Sequence, residues 1–463
     1  MDDSNSLTTT AMERYLARSS HGSGMVFDFT LILKGKIEVD QIRKAWFQTI
    51  EKHPRLFAHL TGRGRRQVWV QRPHADQASF VYHAIEAESP DSLPSAKTPL
   101  SNDPTSVCPR VGMGARCLLQ SNELSGSPAQ TKWSLQLQFH HACCDGVGAI
   151  RVFGQFAKAY TRETCLQSEG QAVVSKVAKR SAEPKTQQAI ASGVVIPDWK
   201  NIWTTIRGHN VRLSRNIPVL GSVLSTHNPQ QDLSIDEYGG HCRLLFSKSC
   251  SDRVRSVLKS THVNLNDWAT AITLKTLAEL TPNAASWSNY LMVLNPVETR
   301  TWSARHDTHN HIGLAFVRRT HAQIDDVGRL IQSVSRQMQS VRQYGTATEM
   351  ETGIAIAEHI PGSLKLIEHF GTFTPSATVT CLAGLRMGKR LGVTLQGDSR
   401  WIADAEIKDI FFQAPMQSGG EVSIAIWDFD GQLTVSCRLA NGLDATAGRV
   451  FVERWRECAT VTI

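Results

Sequence analysis

The hydrophobic pattern changes abruptly near residue 140. Residues 131–139 read TKWSLQLQF, in which apolar and polar positions alternate. This period of two predicts a half-buried strand. Beyond Asp145 the apolar residues recur at helical spacing, as Val147, Ile150, Phe153, Phe156 and Tyr160. The pattern therefore predicts a strand, a short turn and an amphipathic helix.

The same reasoning predicts the elements before this turn. Residues 25–35 are apolar and β-branched up to Gly35, which predicts a strand. Asp40 begins a helical pattern that His53-Pro54 ends. Residues 66–71 predict another strand, whereas 84–130 are rich in Ser, Pro and Gly and predict a loop.

Strands and helices also mix in the second half of the chain. The pattern predicts two helices within 249–280, strands at 290–296 and 311–320, a helix near 323–343, a hairpin over 421–439 and a helix from about 444 to 457. The fold class is therefore α/β, or mixed α+β, with two lobes. Because residues 165–195 are polar and weakly periodic, we expect a linker there, an N-terminal lobe over 1–180 and a C-terminal lobe over 181–463.

Composition narrows the class of protein. A chain of 463 residues exceeds what one core usually supports, which agrees with two lobes. The net charge of +8 comes without a dense basic run or a nucleic-acid motif, so we expect no nucleic-acid partner. The sequence has no transmembrane segment, and its acidic, polar start is unlike a signal peptide, so we expect a cytoplasmic location. The ten cysteines include no CxxC pair, which favours reduced thiols.

The turn itself carries the candidate chemistry, in the sequence HHACCDG over residues 140–146. A metal site would use the two histidines and the two cysteines. Neighbouring residues on a strand point to opposite faces, however, and the sequence offers no second ligand cluster, so we expect no metal. A cysteine nucleophile is the second alternative, because a helix N-terminus favours a thiolate. Small buried residues filling a tight turn explain Cys143 and Cys144 equally well.

A histidine base explains the turn best. His141 follows the strand and precedes the helix, so its ring can project into a cleft, and a neutral imidazole is suited to accept a proton near pH 7. The positive end of the helix that begins at Gly146 would keep the ring neutral and could stabilise an oxyanion. Without chemistry, Asp145 is an N-cap and His140 a buried, hydrogen-bonded ring. Gly146 and Gly148 would let a ligand or backbone approach closely.

His140, His141, Asp145 and Gly146 match HHxxxDG, so the chain resembles the coenzyme A-dependent acyltransferase superfamily. This group includes chloramphenicol acetyltransferase, condensation domains and wax ester synthase/diacylglycerol acyltransferases. Other resembling segments are AMERYLARSS near the start, KHPRLFAHL (52–60), VNLNDWATAITLKTL (263–277) and NPVETR (295–300) followed by Asn310. Together they span nearly the whole chain in the order that the group has.

Some features depart from parts of this group. The plant BAHD motif DFGWG is absent, and Phe57 stands where many condensation domains carry an arginine. Arg300 is therefore the better candidate to pair with Asp145. The spacing from His140 to Asp145 also matches the glycerolipid acyltransferase pattern, but VETR (297–300) lacks the glycine of that family's second block.

The resemblance implies two chloramphenicol-acetyltransferase-like lobes, each a mixed sheet flanked by helices, with an active-site tunnel between them. It implies an acyltransferase with His141 as general base and Gly146 at the catalytic centre, while His140, Asp145 and Arg300 are structural. The cosubstrate would be acyl-coenzyme A or acyl-phosphopantetheine, with no permanently bound cofactor.

The implied partners are a small-molecule or lipid acceptor and, for a phosphopantetheine donor, an acyl carrier protein; peripheral contact with a membrane is compatible with the sequence. Two alternatives stay open. One is a standalone condensation-type enzyme that forms peptide bonds, and the other is a non-catalytic binding protein of the same fold.

Overall fold

The computed structural model describes residues 6–18, 25–86, 107–123, 131–168, 235–238, 241–281, 290–365, 375–382, 392–397, 399–416, 420–440 and 445–462. Among these residues, no helix is both long and apolar enough to cross a bilayer. They form two seven-stranded sheets and one three-stranded sheet, together with the helices that pack on them.

The first sheet is organised around the strand that precedes the HHxxxDG turn. In spatial order its strands are β13 (Thr394–Gln396), β14 (Ser399–Ile402), β15 (Ala405–Gln413), β2 (Val26–Gly35), β7 (Lys132–His140), β6 (Ala115–Glu123) and β5 (Phe80–Glu86). β2 and β7 are antiparallel, and Val26 lies opposite His140. β15 pairs with the other edge of β2, where Ala405 lies opposite Gly35.

The second sheet is formed by the second half of the chain. In spatial order its strands are β11 (Ile312–Thr320), β10 (Tyr290–Glu298), β12 (Ala377–Cys381), β16 (Val422–Phe429), β17 (Gln432–Leu439), β9 (His241–Leu245) and β8 (Ile235–Tyr238). β12 is parallel to both of its neighbours, whereas the other pairs are antiparallel. The small sheet consists of β1 (Ser6–Thr8), β4 (Val68–Val70) and β3 (His59–Thr61).

The helices bury apolar faces against the sheets. They are α1 (Ala11–Arg18), α2 (Val39–Ile50), α3 (Gly146–Ser168), α4 (Lys248–Ser260), α5 (Leu265–Leu280), α6 (Val327–Tyr344), α7 (Glu349–Ala357) and α8 (Ala445–Thr460). In the first lobe α2 and α3 pack together, with the rings of Trp46 and Phe156 edge to face at 6.2 Å. In the second, Trp268 of α5 and Trp455 of α8 meet in the same manner at 5.6 Å.

Two separate hydrophobic cores support the prediction of two lobes. The first is built mainly on the first sheet and its helices and includes Leu31, Leu137 and Phe153, but it also takes in Leu294 and Trp427 of the second sheet. The second core includes Ile272, Val379 and Phe451. Mixed sheets flanked by helices confirm the predicted α/β, mixed α+β class.

The predicted loop over 84–130 is wrong for part of that range, because Ala115–Glu123 form β6. Cys117 and Leu119 are fully buried there, and Leu119 lies opposite Leu135 of β7. The Ser-, Pro- and Gly-rich segments on either side concealed this short strand from a reading by composition.

The strand predicted over 131–139 is present, but it is buried on both faces. Gln136 and Gln138, on its polar face, are only 8% and 5% exposed. Gln136 hydrogen bonds to the carboxyl group of Asp28 on β2. Arg438 of β17 covers the same region and donates to the backbone oxygen of Val26 at 3.4 Å. The alternation of apolar and polar residues is the same whether the polar face of a strand packs against the other lobe or faces water, so the sequence pattern could not distinguish the two.

The two sheets do not divide the chain at one point. β13, β14 and β15 lie in the second half of the chain, yet they extend the first sheet beyond β2. The boundaries 1–180 and 181–463 therefore stay a prediction. In the predicted linker, residues 165–168 belong to α3, and residues 169–195 lie outside the described residues.

Candidate active site

The turn after β7 is fixed on both sides by the neighbouring strands. The backbone N–H of His140 donates to the oxygen of Gly114, which precedes β6, at 2.9 Å. The N–H of His141 donates to the oxygen of Met25, which precedes β2, at 2.8 Å. A Cβ on Gly114 would lie 2.5 Å from the sulfur of Cys143, so only glycine leaves room for the turn. This local packing fixes the backbone positions from which the side chains of the two histidines extend.

The ring of His141 is buried between the lobes. It lies against Phe27 with the ring centroids 5.2 Å apart, and the residue is 8% exposed. Asn310, from the segment between β10 and β11, donates to the backbone oxygen of His141 at 2.5 Å and lies 3.3 Å from its Nδ1. The ring also hydrogen bonds to its own backbone. These contacts engage Nδ1 rather than Nε2.

Burial lowers the pKa of His141 below its ordinary value, while the backbone hydrogen bond and the charge of Asp145 raise it in part. A lowered pKa keeps the imidazole neutral at neutral pH, which is the form that accepts a proton.

His140 is held in a different way. Its Nδ1 accepts a hydrogen bond from the N–H of Ala142 at 3.1 Å, and the residue is 1% exposed. Burial, followed by the neighbouring His141, lowers its pKa to about 3. A ring that is enclosed and bonded to its own turn shapes the backbone and is poorly placed to reach a substrate.

Asp145 joins the turn to the second lobe. Its Oδ1 accepts from the N–H of Gly148 at 2.7 Å, which caps α3, and its Oδ2 accepts from the N–H of His311 at 2.7 Å. Arg300 donates to Oδ1 at 2.8 Å, and the two side chains are 2% and 1% exposed. Arg300 also donates to the oxygen of His309 at 2.7 Å. The contact predicted between Asp145 and Arg300 is thus present, while the roles of both residues stay predictions.

The two glycines of the turn differ in what approaches them. A Cβ on Gly148 would lie 2.3 Å from the backbone oxygen of Thr308, so the second lobe comes into direct contact with α3 there. Among the described residues, a Cβ on Gly146 would meet only the side chain of Leu382, at 3.7 Å. Gly148 therefore serves the contact between lobes, whereas the partly exposed Gly146 stands at the open start of the helix.

The cysteines of the turn are enclosed. Cys143 and Cys144 are 1% and 0% exposed, and burial raises the pKa of both thiols well above the ordinary value. A thiol held in its neutral form is a poor nucleophile, which opposes the cysteine alternative.

Phe57 does not reach the site. It is buried in the first core, 3% exposed, and the nearby cation Arg55 pairs with Glu13 at 3.3 Å. The structure therefore gives Asp145 its arginine from the second lobe, through Arg300.

Two further residues at this contact between the lobes, His53 and Thr308, were not predicted as site residues from the sequence. The Nδ1 of His53 lies 3.0 Å from the hydroxyl of Thr308, and its Nε2 lies 3.1 Å from the side-chain oxygen of Gln155. Burial lowers the pKa of His53 to about 4. The segment KHPRLFAHL gave a signal for His53, since it belongs to the family resemblance, but nothing in the sequence pointed to its partner.

No family model matches the sequence. No curated protein matches it either. Solved structures do match, over the whole chain. Trichothecene 15-O-acetyltransferase from Fusarium sporotrichioides superposes with a TM-score of 0.68 at 10% identity, over 99% of this chain and 95% of that chain. The first condensation domain of the calcium-dependent antibiotic synthetase, in complex with a substrate analogue, gives 0.67 at 14% identity over 100% and 97%.

A third structure is a variant starter condensation domain of rhizomide synthetase, in complex with C8-CoA and Leu-SNAC. It gives a TM-score of 0.60 at 12% identity, over 99% of this chain and 95% of that chain. The chain thus has the two-lobed fold of condensation domains and coenzyme A-dependent acyltransferases, as the sequence predicts. At these identities the likeness establishes the fold alone.

Proposed function

We propose that this protein is an acyltransferase that moves an acyl group from a coenzyme A or carrier-protein thioester to a hydroxyl or amine acceptor. The observation that carries the proposal is the position of His141. Its ring lies at the contact between the lobes, with Nδ1 beside Asn310 and a pKa that burial lowers. A positioned neutral imidazole is what acyl transfer to a weakly acidic acceptor needs.

In the proposed reaction, Nε2 of His141 takes the proton from the acceptor's O–H or N–H as the acceptor attacks the thioester carbonyl. The carbonyl oxygen becomes an oxyanion, which the N–H groups at the start of α3, around Gly146, would stabilise. When the tetrahedral intermediate collapses, the carbon–sulfur bond breaks and the imidazolium returns the proton to the leaving thiolate. No Lewis acid is required, because a thiolate is already a good leaving group.

Asp145, Arg300 and Asn310 would act through position. Asp145 caps α3 and accepts from Arg300 and from the backbone of His311, while Asn310 holds the backbone of His141. These contacts tie the base on the first lobe to the second lobe. We propose that the thioester and the acceptor reach His141 from opposite ends of a tunnel between the lobes, as in the group that the sequence resembles.

The test is release of free thiol from acyl-coenzyme A of short and long chain length, and from acyl carrier protein, with water or a panel of alcohols and amines as acceptor. We expect release that depends on His141 and survives a chelator. The donor that supports it decides between coenzyme A and a carrier protein. If neither the wild type nor His141→Ala released thiol faster than the uncatalysed rate with any donor, the result would favour a non-catalytic binding protein.

The two acceptor classes separate acyl transfer to small molecules from peptide-bond formation. A peptide-forming enzyme should use an aminoacyl thioester as acceptor and give an amide that mass spectrometry detects. An ester with an alcohol acceptor would exclude that alternative as the main activity.

A further inference from the structure

Three side chains of types that can bind a metal lie close together on the segment between β10 and β11, outside the HHxxxDG turn. Asp307, His309 and His311 form what we call the Asp-His-His cluster, and their possible ligand atoms all lie within 4.8 Å of one another. The Nε2 of His311 is 3.3 Å from an oxygen of Asp307. In the part of the chain that the structure describes, this buried Nε2 has no hydrogen-bond partner. This ring nitrogen therefore faces the carboxylate of Asp307 without the geometry of a hydrogen bond.

The spacing fits a small cation. In a tetrahedral zinc site with bonds of about 2.0–2.2 Å, neighbouring ligand atoms are roughly 3.3–3.5 Å apart. The distance of 3.3 Å between His311 and Asp307 already has this value. His309 would have to approach the other two ligands from within 4.8 Å, through rotation of its side chain.

The residues between the three ligands hold the backbone. Thr308 contacts the Nδ1 of His53 at 3.0 Å, and Asn310 donates to the backbone oxygen of His141 at 2.5 Å. Thr308 and Asn310 thus fasten the segment to the first lobe. The backbones of Asp307 and His311 are held as well, by Arg151 and Asp145, while the three side chains of the cluster lie near one another. The sequence signal is Asp-x-His-x-His, in which every second residue is a potential ligand. The expectation of no metal considered the HHxxxDG turn and overlooked this second cluster.

We propose that Asp307, His309 and His311 bind one divalent transition-metal ion, with water completing its coordination. Two imidazoles and one carboxylate suit Zn²⁺, and Co²⁺ as its spectroscopic substitute, better than Mg²⁺ or Ca²⁺, which prefer oxygen ligands. The ion takes no part in the proposed acyl transfer. It fastens the segment that carries Arg300 and Asn310 and so raises Tm. The contacts of these two residues with Asp145 and His141 are made by the protein alone, so thiol release below Tm still survives a chelator.

The experiment uses the full chain after treatment with a chelator and no acyl donor. Co²⁺ titration should give one equivalent per chain with the visible absorption of a four- or five-coordinate site. Zn²⁺, measured by competition with a chromophoric chelator, should displace it and raise Tm. Asp307→Asn and His309→Ala should each weaken Zn²⁺ binding by about 100-fold or more, since each removes a direct ligand.

The matched control is His306→Ala, an exposed histidine on the same segment but outside the cluster, which should bind as the wild type does. Circular dichroism and the Tm of metal-free protein identify any variant that fails to fold, and a second ligand variant then replaces it. Wild-type affinity in folded Asp307→Asn and His309→Ala would overturn the proposal. Loss of the ion in His141→Ala alone would move the site to the HHxxxDG turn and overturn it equally. Because no acyl donor is present, neither result depends on the proposed activity.

Discussion

His141 and His140 are neighbours in sequence, but their rings have different surroundings. The Nδ1 of His141 meets Asn310 of the second lobe, whereas the Nδ1 of His140 accepts from the N–H of Ala142 within its own turn. We predict that His141→Ala lowers kcat by about 10² to 10⁴, the usual contribution of a positioned base. His140→Ala should mainly lower Tm. Single-turnover rates and thermal melts of both variants would test this. A folded, inactive His140→Ala beside an active His141→Ala would reverse the assignment.

The pH dependence follows from the same ring. Burial lowers the pKa of His141, so the neutral base persists below the ordinary histidine range. Activity should therefore stay on its plateau as the pH falls through about 6.5, and decline only at lower pH, as the ring gains its proton. The profile of log(kcat/KM) from pH 4 to 8 measures this. An acidic limb centred above 6.5 would contradict a buried base.

At the scale of elements, Gly148 lets α3 approach the backbone of the second lobe closely. Gly148→Ala would place its Cβ against the backbone oxygen of Thr308, and neither backbone can yield without parting the lobes. We expect it to cost about 1–3 kcal/mol in the free energy of unfolding, as for other overpacked sites. Activity should fall with it, because the neighbouring Asn310 would shift.

Gly146→Ala is the matched control for that variant. It adds the same methyl group to the same turn of helix, where the nearest described side chain is Leu382 at 3.7 Å, and it retains the backbone N–H. Urea denaturation and thiol-release assays of both variants should separate them. Equal loss in the two would mean that conformational freedom of the turn, rather than space for Thr308, requires the glycines.

The Asp145–Arg300 pair connects two elements that are far apart in sequence. Both side chains are almost fully enclosed, so removing Asp145 leaves the buried Arg300 with the half-exposed Glu298, at 3.3 Å, as its charged partner. We predict that Asp145→Ala costs about 3–5 kcal/mol in the free energy of unfolding, as for other broken buried pairs. Arg300→Met in the Asp145→Ala background should restore part of that loss. A double-mutant cycle measures the coupling, and additive effects would show that the pair contributes nothing beyond the N-cap.

At the scale of the whole molecule, the hydrophobic pattern predicted the individual strands and helices, because the burial of neighbouring side chains along the chain determines them. The change of period at Asp145 located the strand, the turn and the helix, because burial of Leu137 and Phe153 requires those periods. Sequence spacing could not reveal that Gln136 and Gln138 face Asp28 rather than water, since both settings accept amides. Contacts such as Asn310 with His141 depend on how the lobes meet.

The pairing of β15 with β2 affects how the chain folds while it is being synthesised. Until residues 405–413 leave the ribosome, the nascent first lobe presents β2 as an open edge on the side away from β7. Unpaired edges recruit other strands, so this interval exposes the growing chain to aggregation and favours protection by a chaperone.

Translation products truncated after residue 393 should therefore be cut by protease within β2 and β7 and should sediment as aggregates. Products truncated after residue 444, which lack α8 but retain β15, should keep that region protected. Equal protection of the two products would mean that the first lobe closes without its last strands. Only the second sheet would then need the last part of the chain to be translated before it could form.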